Sequence, residues 1–392
     1  MKKFPPMVSF LYVLSIFSFG VTVVNAQSAV TVSTWKDAHR GALSVSVDDG
    51  YISCSSQLTA NGFEGTYFYD GTSPYSSWGN LYNAGMELGS HTANHPCNAI
   101  DDNSLRYQEI EPNIDAICAG TPQPCNYLIS MAWPCGYTNP MEETVALDYF
   151  LSARGYNHNQ LEEPTPSDFM NLKSFNSHVH KPYPPNDFKT IVDAAEQTGK
   201  WAILVFHSTC DDDNAISYAA SKDIWVAPIG RIIKYILQRD GFILENYNES
   251  SSGIGFTFNR LALASSPEFN FESAFSLADT VTLKVDIDDY QTIESVRLND
   301  KECPYIVLGI SGNKFLLINA PVLITSQSVY IGYQGGQSPA ISVSPSSLQV
   351  NAVAGTNPAN ETIVVSNAGG GTLSYTISDD ASWLSCSPVS GT

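Results

Sequence analysis

Two neighbouring carboxylates, Asp48 and Asp49, directly follow an apolar segment and precede Gly50. Adjacent carboxylates repel each other, and a bound cation or a shared proton relieves that repulsion. The pair therefore indicates a metal site in which one carboxylate binds and its neighbour moves a proton. An acidic turn after a strand is the alternative interpretation.

Three imidazoles extend this candidate set. His91 and His95 are four residues apart, a spacing that on a helical turn brings both side chains to one face, where they can chelate one ion. His207 ends an apolar run, so a buried strand would carry it to the edge of a sheet. Because the chain has only 7 histidines, the pairing is unlikely to be accidental, although each feature alone fits a surface pair or a core histidine.

The segments around these residues alternate between strand and helix. Strand candidates are residues 43–47, 66–69, 87–90, 127–132, 172–175, 201–206 and 242–244, and helix candidates are residues 52–60, 104–119, 141–154, 188–198 and 228–239. This alternation predicts an α/β fold with a parallel sheet, open or closed as a barrel. In such sheets the chemistry gathers at the C-terminal ends of the strands.

Beyond residue 247 the pattern changes. Residues 248–255 are polar and rich in Gly and Ser, which predicts a linker, and residues 256–333 alternate in the manner of a small all-β module. A Gly-rich joint at residues 335–338 leads into residues 340–392, again with a β pattern. The chain stops inside this last module, which we expect to be truncated.

Taken together and in this order, the motifs resemble the polysaccharide deacetylases of the NodB-homology type, carbohydrate esterase family 4. The matching segments are Ser46-Val47-Asp48-Asp49-Gly50, His91-Thr92-Ala93-Asn94-His95-Pro96 and Val205-Phe206-His207. The resemblance covers residues 42–245. It implies a distorted (β/α) barrel followed by the small all-β modules.

The resemblance also implies a role for each polar residue. Asp49, His91 and His95 would bind a divalent metal, most often Zn²⁺, although Co²⁺, Ni²⁺ and Mn²⁺ also suit these ligands. Asp48 would be the general base and His207 the general acid.

Three further residues are expected to contact the substrate. A backbone N–H near Cys135 would stabilise the oxyanion, Val205 would line the pocket for the acetyl methyl group, and Trp133 belongs to the same motif as Cys135.

The third family motif departs from its pattern. It reads Ala132-Trp133-Pro134-Cys135-Gly136, so the Arg that normally pairs with the base carboxylate is missing. This loss predicts a changed pH optimum or weaker catalysis. The Asp that orients the acid His has no clean match either, and the sequence does not separate Asp168 from Asp187.

The C-terminal module resembles BACON-type and related immunoglobulin-like β-sandwiches, which accompany glycan-active enzymes as spacers or binders. The predicted organisation is a signal peptide (1–26), a deacetylase-like domain (27–247), an all-β accessory module (256–335) and the BACON/Ig-like module (340–392).

The N-terminal segment predicts export. Lys2 and Lys3 precede a largely apolar run, and Val24-Asn25-Ala26 is a small-residue cleavage site. A membrane anchor is the alternative, but no later stretch is apolar enough to cross a bilayer, so we expect a secreted or cell-surface protein without stable membrane insertion.

Cysteine usage is consistent with export, since the chain has 8 cysteines, an even number that permits disulfides. The absence of a CxxC pair argues against a thiolate metal site. Cys118 and Cys125 form the most local candidate disulfide, whereas Cys303 and Cys386 lie in separate modules and are expected to be buried thiols.

The net charge of -20 argues against nucleic acid as a partner, because a polyanion would be repelled. The sequence thus predicts a secreted, metal-dependent deacetylase of N-acetyl or O-acetyl groups on a polysaccharide. The alternative is a glycan-binding surface protein that has kept the fold and lost the activity.

Overall fold

The structure is a computed structural model. It describes residues 29–73, 76–156, 158–176, 187–210, 214–287, 292–310, 313–334, 340–351, 357–369, 373–379, 381 and 384–391. The predicted signal peptide at 1–26 and the joint at 335–338 lie outside these residues.

A curled parallel sheet forms the N-terminal half, which confirms the predicted fold class. The strands of this half are β1 (Val30–Val32), β2 (Gly41–Val47), β3 (Thr66–Tyr69), β4 (Glu87–Ser90), β5 (Ser130–Ala132), β6 (Ser152–Arg154), β7 (Phe175–Asn176), β8 (Trp201–Phe206) and β9 (Ile224–Val226). The order in the sheet is β6-β5-β4-β3-β2-β8-β7, with β9 beside the first half of β2. A bridge between Arg154 and Leu172 joins β6 to the segment before β7, so the sheet curls into a distorted barrel.

Helices connect these strands. They are α1 (Ser55–Ala60), α2 (Ser76–Asn83), α3 (Asp102–Ser104), α4 (Glu111–Gly120), α5 (Pro140–Ala146), α6 (Phe188–Thr198), α7 (Ala215–Ala219) and α8 (Ile229–Asp240). The prediction for α6 is confirmed, with Asp187 as its N-cap and Gly199 in the left-handed conformation at its end. The helix predicted over 141–154 is wrong in its second half, because α5 ends at Ala146 and the chain re-enters the sheet as β6.

The central strands are buried on both faces. Every residue of β2 and of β8 is buried, as expected for parallel strands covered by helices on one side and by the barrel interior on the other. The ends of these strands are therefore positioned by the best-packed part of the molecule.

In the accessory region, the strands that the structure describes form antiparallel sheets. Its strands are β10 (Phe242–Ser250), β11 (Gly253–Arg260), β12 (Val281–Ile287), β13 (Ile293–Leu298), β14 (Lys301–Glu302), β15 (Tyr305–Ile310), β16 (Asn313–Ala320) and β17 (Gln327–Tyr333). They form the sheets β1-β12-β16-β15 and β10-β11-β17-β13-β14. Residues 242–244, predicted as a barrel strand, instead begin β10, and the predicted linker 248–255 lies on the β10–β11 hairpin.

Helix α8 lies between the barrel and the accessory sheets. The Tyr235 hydroxyl donates to the Ser33 carbonyl at 2.8 Å, and the Val322 N–H donates to Gln238 Oε1 at 2.8 Å. Apolar residues of α8 belong to the same buried cluster as those of β11, β12, β16 and β17. The accessory region thus covers a barrel helix.

The C-terminal region is the least buried. It holds β18 (Ile341–Ser344), β19 (Val364–Asn367), β20 (Tyr375–Thr376) and β21 (Ser390–Gly391), paired as β18-β19 and β20-β21. Several large apolar side chains of this region are exposed, among them Ile341, Val364 and Val389. Across the described ranges, no helix combines the length and apolar character that a membrane crossing requires.

Three disulfides lie in the N-terminal half. They join Cys54 to Cys210, Cys97 to Cys135 and Cys118 to Cys125, which confirms the predicted local pair. Cys303 and Cys386 are free and half-buried rather than fully buried.

Candidate active site

The five predicted polar residues meet at the C-terminal edge of the parallel sheet. Asp48 and Asp49 follow β2, His91 and His95 follow β4, and His207 follows β8. Because parallel strands all end at the same edge, residues far apart in sequence converge there.

Asp49 is the centre of a three-residue cluster. Its Oδ1 lies 3.4 Å from His91 Nε2 and 3.4 Å from His95 Nε2, and the three ligand atoms lie within 4.8 Å of one another. The two rings stand edge to face, with planes at 78°.

This cluster fits a divalent metal. Metal–ligand bonds of about 2.0–2.1 Å at tetrahedral angles separate the ligand atoms by about 3.3 Å. The separations around Asp49 match that value, and its buried Oδ1 has no hydrogen-bond partner among the described residues. Two imidazoles and one carboxylate also leave a coordination position open, as catalytic metal sites do.

The His91 ring is oriented by a backbone contact. Its Nδ1 lies 2.8 Å from the Ala132 carbonyl oxygen, which can only accept, so Nδ1 carries the proton and Nε2 points its lone pair at the cluster. Burial alone would lower the pKa of His91, but the nearby carboxylates of Asp49 and Asp48 raise it. The adjacent His91 imidazole in turn lowers the pKa of Asp49 against the opposing effect of burial.

The loop that carries the histidines is not helical, which corrects the prediction of a helical turn. Thr92 and His95 have φ values of 66° and 52°, and Asp49 has a φ of 57°. Non-glycine residues rarely occupy this region, so local contacts must hold them there. One such contact is buried Glu109, whose carboxylate accepts from the Asn94 N–H at 2.8 Å.

Arg154 supplies the guanidinium that the third motif lacks. Its Nη2 donates to Asp48 Oδ2 at 2.5 Å, and side-chain exposures are 0% for Arg154 and 3% for Asp48. Arg154 Nη1 donates to the Gly155 carbonyl, and the guanidinium lies over the Phe68 ring at 5.4 Å. The expectation that the base carboxylate lacks an arginine partner is therefore wrong.

The two candidate proton-transfer groups face one another. His207 Nε2 lies 4.0 Å from Asp48 Oδ2 and 3.9 Å from Asp49 Oδ2. Asp48 Oδ1 is buried without a hydrogen-bond partner in the described part of the chain. One oxygen of Asp48 is thus held by Arg154, whereas the other is available to a proton.

Two of the predicted substrate-binding residues are buried. The Trp133 indole N–H donates to the Met170 carbonyl at 2.6 Å, and the ring is 2% exposed, so no sugar can stack on it. Val205 has no exposed surface, so an acetyl methyl group could reach it only after other atoms move. Cys135, by contrast, is exposed and has a φ of 55°.

Neither candidate for the aspartate that orients His207 is available for that role. Asp187 is exposed and caps α6 by accepting from the N–H and hydroxyl of Thr190. Asp168 is also exposed and accepts from the Met170 N–H. Each of these two carboxylates accepts hydrogen bonds from a residue two or three positions further along the chain.

Two disulfides bind the loops of the site to one another. Cys54–Cys210 joins the segment after β2 to the segment after β8, so it links the loops that carry the aspartates and His207. Cys97–Cys135 joins the histidine loop to the turn after β5. Covalent links of this kind limit the separation of the site residues.

Comparison with known proteins identifies one family model. Residues 340–392 match the model described as the Viral BACON domain, which confirms the resemblance predicted for that segment. The comparison with curated proteins gives no match.

Several solved structures are similar to the N-terminal half of the chain. A family 4 carbohydrate esterase from Streptomyces lividans, in complex with acetate, is 21% identical, with 48% of this chain and 93% of that chain covered and a TM-score of 0.34. The Xyl-CE4 domain of a multidomain xylanase from the hindgut metagenome of Trinervitermes trinervoides is 14% identical, with coverages of 50% and 90% and a TM-score of 0.35. A CE4 family pseudoenzyme from Bacillus anthracis is 13% identical, with coverages of 49% and 65% and a TM-score of 0.34.

At these identities and TM-scores, the neighbours say nothing about the activity of this chain. The chain is similar to carbohydrate esterases of family 4 in its N-terminal half and to the Viral BACON domain model at residues 340–392.

Proposed function

We propose that this chain is an exported, metal-dependent deacetylase that hydrolyses N-acetyl or O-acetyl groups of a polysaccharide. The observation that carries the proposal is the different surroundings of two adjacent carboxylates. Asp49 faces two imidazole nitrogens, whereas Asp48 is paired with Arg154 through one oxygen and keeps the other free of hydrogen bonds from the described residues. One carboxylate suits a metal and the other suits a proton.

Asp49, His91 and His95 would hold the metal. A divalent ion there supplies Lewis-acid chemistry, which polarises an acetyl carbonyl and makes a nearby water more acidic. The mixed nitrogen and oxygen ligands favour Zn²⁺, and Co²⁺, Ni²⁺ and Mn²⁺ also suit them.

The chain's own residues would move the protons. Asp48 Oδ1 accepts a proton from the attacking water, while the bond from Arg154 to Oδ2 fixes the carboxylate in place. His207, whose Nε2 is 4.0 Å from Asp48, gives a proton to the departing amine or alkoxide. A backbone N–H near Cys135 would stabilise the oxyanion.

The remaining features fit an extracellular glycan enzyme. Three disulfides require an oxidising compartment, consistent with the signal peptide expected at 1–26. The BACON domain would serve as a spacer or as a second glycan-binding surface. The boundaries 27–247 and 256–335 remain predictions.

The direct test is acetate release by the full chain. The panel consists of chitin oligosaccharides, peptidoglycan and acetylated xylan, each assayed with zinc and again with a chelator. Release that the chelator abolishes supports the proposal and identifies the substrate. A protein that binds zinc but releases no acetate would instead favour a glycan-binding protein with an inactive site.

Two variants separate the roles of the carboxylates. Asp49→Ala is expected to lose both zinc and activity, whereas Asp48→Asn keeps zinc and loses activity about 10²–10⁴-fold, the usual contribution of a general base. Asp102→Asn, an exposed aspartate on α3, is the matched control and should change neither quantity. Unchanged zinc content in both Asp49→Ala and His91→Ala would refute the metal site.

A further inference from the structure

Tyr156 contacts the imidazole of His207. The ring centroids are 5.9 Å apart and the planes meet at 86°, an edge-to-face arrangement. Such contacts favour one relative orientation of two rings, because the positive edge of one faces the negative face of the other. The contact therefore restricts rotation of the imidazole plane.

Tyr156 is itself held from several sides. The Asn176 side-chain amide on β7 donates to the phenol oxygen. The Gly155 N–H donates to the Leu172 carbonyl at 3.0 Å, so the backbone next to Tyr156 is fixed where β6 meets the segment before β7. Gly136 has a φ of 69°, and a Cβ at that position would collide with Tyr156. The ring is therefore a fixed part of the barrel wall.

The phenol stays neutral beside the site. Burial raises the pKa of Tyr156, and the charge of Asp48 raises it further. A neutral ring thus contacts His207, whereas the family resemblance implies a carboxylate as the partner of the acid imidazole. The ring contributes orientation without adding a negative charge.

We propose that Tyr156 is a positioning residue for the acid imidazole. The three-residue segment Arg154-Gly155-Tyr156 then supports both proton-transfer groups, with Arg154 at Asp48 and Tyr156 at His207. This inference rests on the proposed deacetylase function, and it accounts for both departures from the family motifs with one stretch of chain.

The leaving group distinguishes positioning of the acid from general support of the fold. A sugar amine or alkoxide must be protonated as it departs, whereas the nitrophenolate of 4-nitrophenyl acetate leaves without a proton. A residue that orients the acid affects only the first kind of substrate. A residue that merely holds the barrel together affects both kinds equally.

The experiment compares Tyr156→Leu and Tyr156→Phe in the zinc-loaded full chain. The substrates are the glycan from which the wild type releases acetate and 4-nitrophenyl acetate. Tyr156→Leu is expected to lose about 10–100-fold in kcat on the glycan, the usual effect of removing an outer-shell partner, and to keep its rate on the aryl ester. Tyr156→Phe keeps the ring and should stay close to the wild type on both substrates.

Tyr330→Leu is the matched control, because Tyr330 is an exposed tyrosine of the accessory region. Equal losses of Tyr156→Leu on both substrates, or no loss on the glycan, would overturn the proposal.

A second measurement needs no activity. The imidazole C–H signals of His207 in the NMR spectrum are assigned by their absence in His207→Gln. They should shift in Tyr156→Leu, because the ring current of the tyrosine is lost, and remain near the wild-type position in Tyr156→Phe. Unchanged signals in Tyr156→Leu would overturn the contact. A wild type without acetate release would refute the proposed function, and the NMR result would still decide on Tyr156.

Discussion

The two buried arginines of this molecule, Arg154 in the barrel and Arg260 in the accessory region, are paired with carboxylates in different ways. Arg260 holds Glu272 through two parallel hydrogen bonds of 2.9 and 2.6 Å, and further donates to the carbonyls of Val322 and Leu261. Glu272 also accepts from the Leu263 N–H at 2.7 Å. Each charged atom of this pair has a partner.

The pair in the barrel is incomplete. Arg154 holds Asp48 through a single hydrogen bond, and both Asp48 Oδ1 and Arg154 Nε lack a partner among the described residues. An unsatisfied buried polar atom costs about 1–3 kcal/mol, so a pair that served only stability would be expected to satisfy it. The complete pair thus supports the fold, whereas the incomplete pair leaves Asp48 Oδ1 for the proton transfer that we propose.

The largest expected effect concerns the Arg260–Glu272 pair, in which every charged atom has a partner. Glu272→Gln leaves the Arg260 guanidinium, whose side chain is 1% exposed, without a counter-charge, and should lower the free energy of unfolding by about 3 kcal/mol. Urea unfolding at neutral pH measures this free energy, and kcat/KM should not change. Glu268→Gln, an exposed neighbour, is the control. A fall in kcat/KM without a fall in stability would reverse the assigned roles.

The same pair predicts an acid dependence. Burial would raise the pKa of Glu272, but the bonds from Arg260 and the Leu263 N–H lower it below 4.5. A lowered folded-state pKa stabilises the protein above the unfolded-state pKa, and this contribution is lost as the pH falls through the folded-state pKa. Glu272→Gln should lack this part of the acid dependence.

Disrupting the incomplete Arg154–Asp48 pair should lower catalytic activity. Arg154→Met removes the group that fixes the base carboxylate, so kcat/KM should fall about 10–100-fold in protein that still binds zinc. The measurement is acetate release per bound zinc. Arg106→Met removes another barrel arginine, which is paired with Asp148 rather than with a residue of the site, and should retain full activity. Wild-type kcat/KM in Arg154→Met would mean that the pair is structural after all.

Metal affinity should depend on pH through His91. The pKa of His91 is raised above 6.5 in the metal-free protein, so protons compete for its Nε2 at a higher pH than for an ordinary imidazole. Below that pKa the zinc affinity should fall about tenfold per pH unit, equivalent to about 1.4 kcal/mol. Zinc titrations between pH 5.5 and 8.5 test the slope. An affinity constant down to pH 5.5 would contradict the assignment of His91 as a ligand.

The smallest effect concerns Glu87, a half-buried carboxylate on β4. It accepts from Ser130, Thr66 and the Gly230 N–H, and burial raises its pKa. A raised folded-state pKa means that stability falls as the pH rises from the unfolded-state value toward the folded-state one. Glu87→Gln should remove this dependence and change stability at neutral pH by within about 1 kcal/mol. Thermal unfolding of the wild type and of Glu87→Gln from pH 4 to 8 measures this pH dependence, with Glu163→Gln as an exposed control.

Much of the site could be predicted from local sequence. Asp48, Asp49 and His207 each follow an apolar strand, and a parallel sheet brings strand ends together, so their convergence follows from the fold class. The contact between Cys118 and Cys125 was also predictable, because the two residues are close along the chain.

Arg154 and Tyr156 could not be found in this way. Residues 141–154 have the composition of a helix, and the change to a strand at Ser152 depends on pairing with β5, a neighbour that local periodicity does not reveal. The prediction of a helical turn from His91 to His95 was also wrong. The shape of this loop depends on residues in the left-handed conformation, which contacts to Glu109 and the Cys97–Cys135 disulfide hold in place. In each case a long-range contact overrides the local pattern.

Strand β1 has a consequence for how the molecule could have been assembled over evolution. It comes before the barrel in the chain, but it pairs with β12 of the accessory region, so the accessory fold is interrupted by the whole barrel. A genetic cut at residue 247 would strip one sheet of a strand and uncover the apolar side of α8. Recombination should therefore exchange the two regions only together. The described strands of residues 340–392 pair only with one another, so that segment can be gained or lost alone.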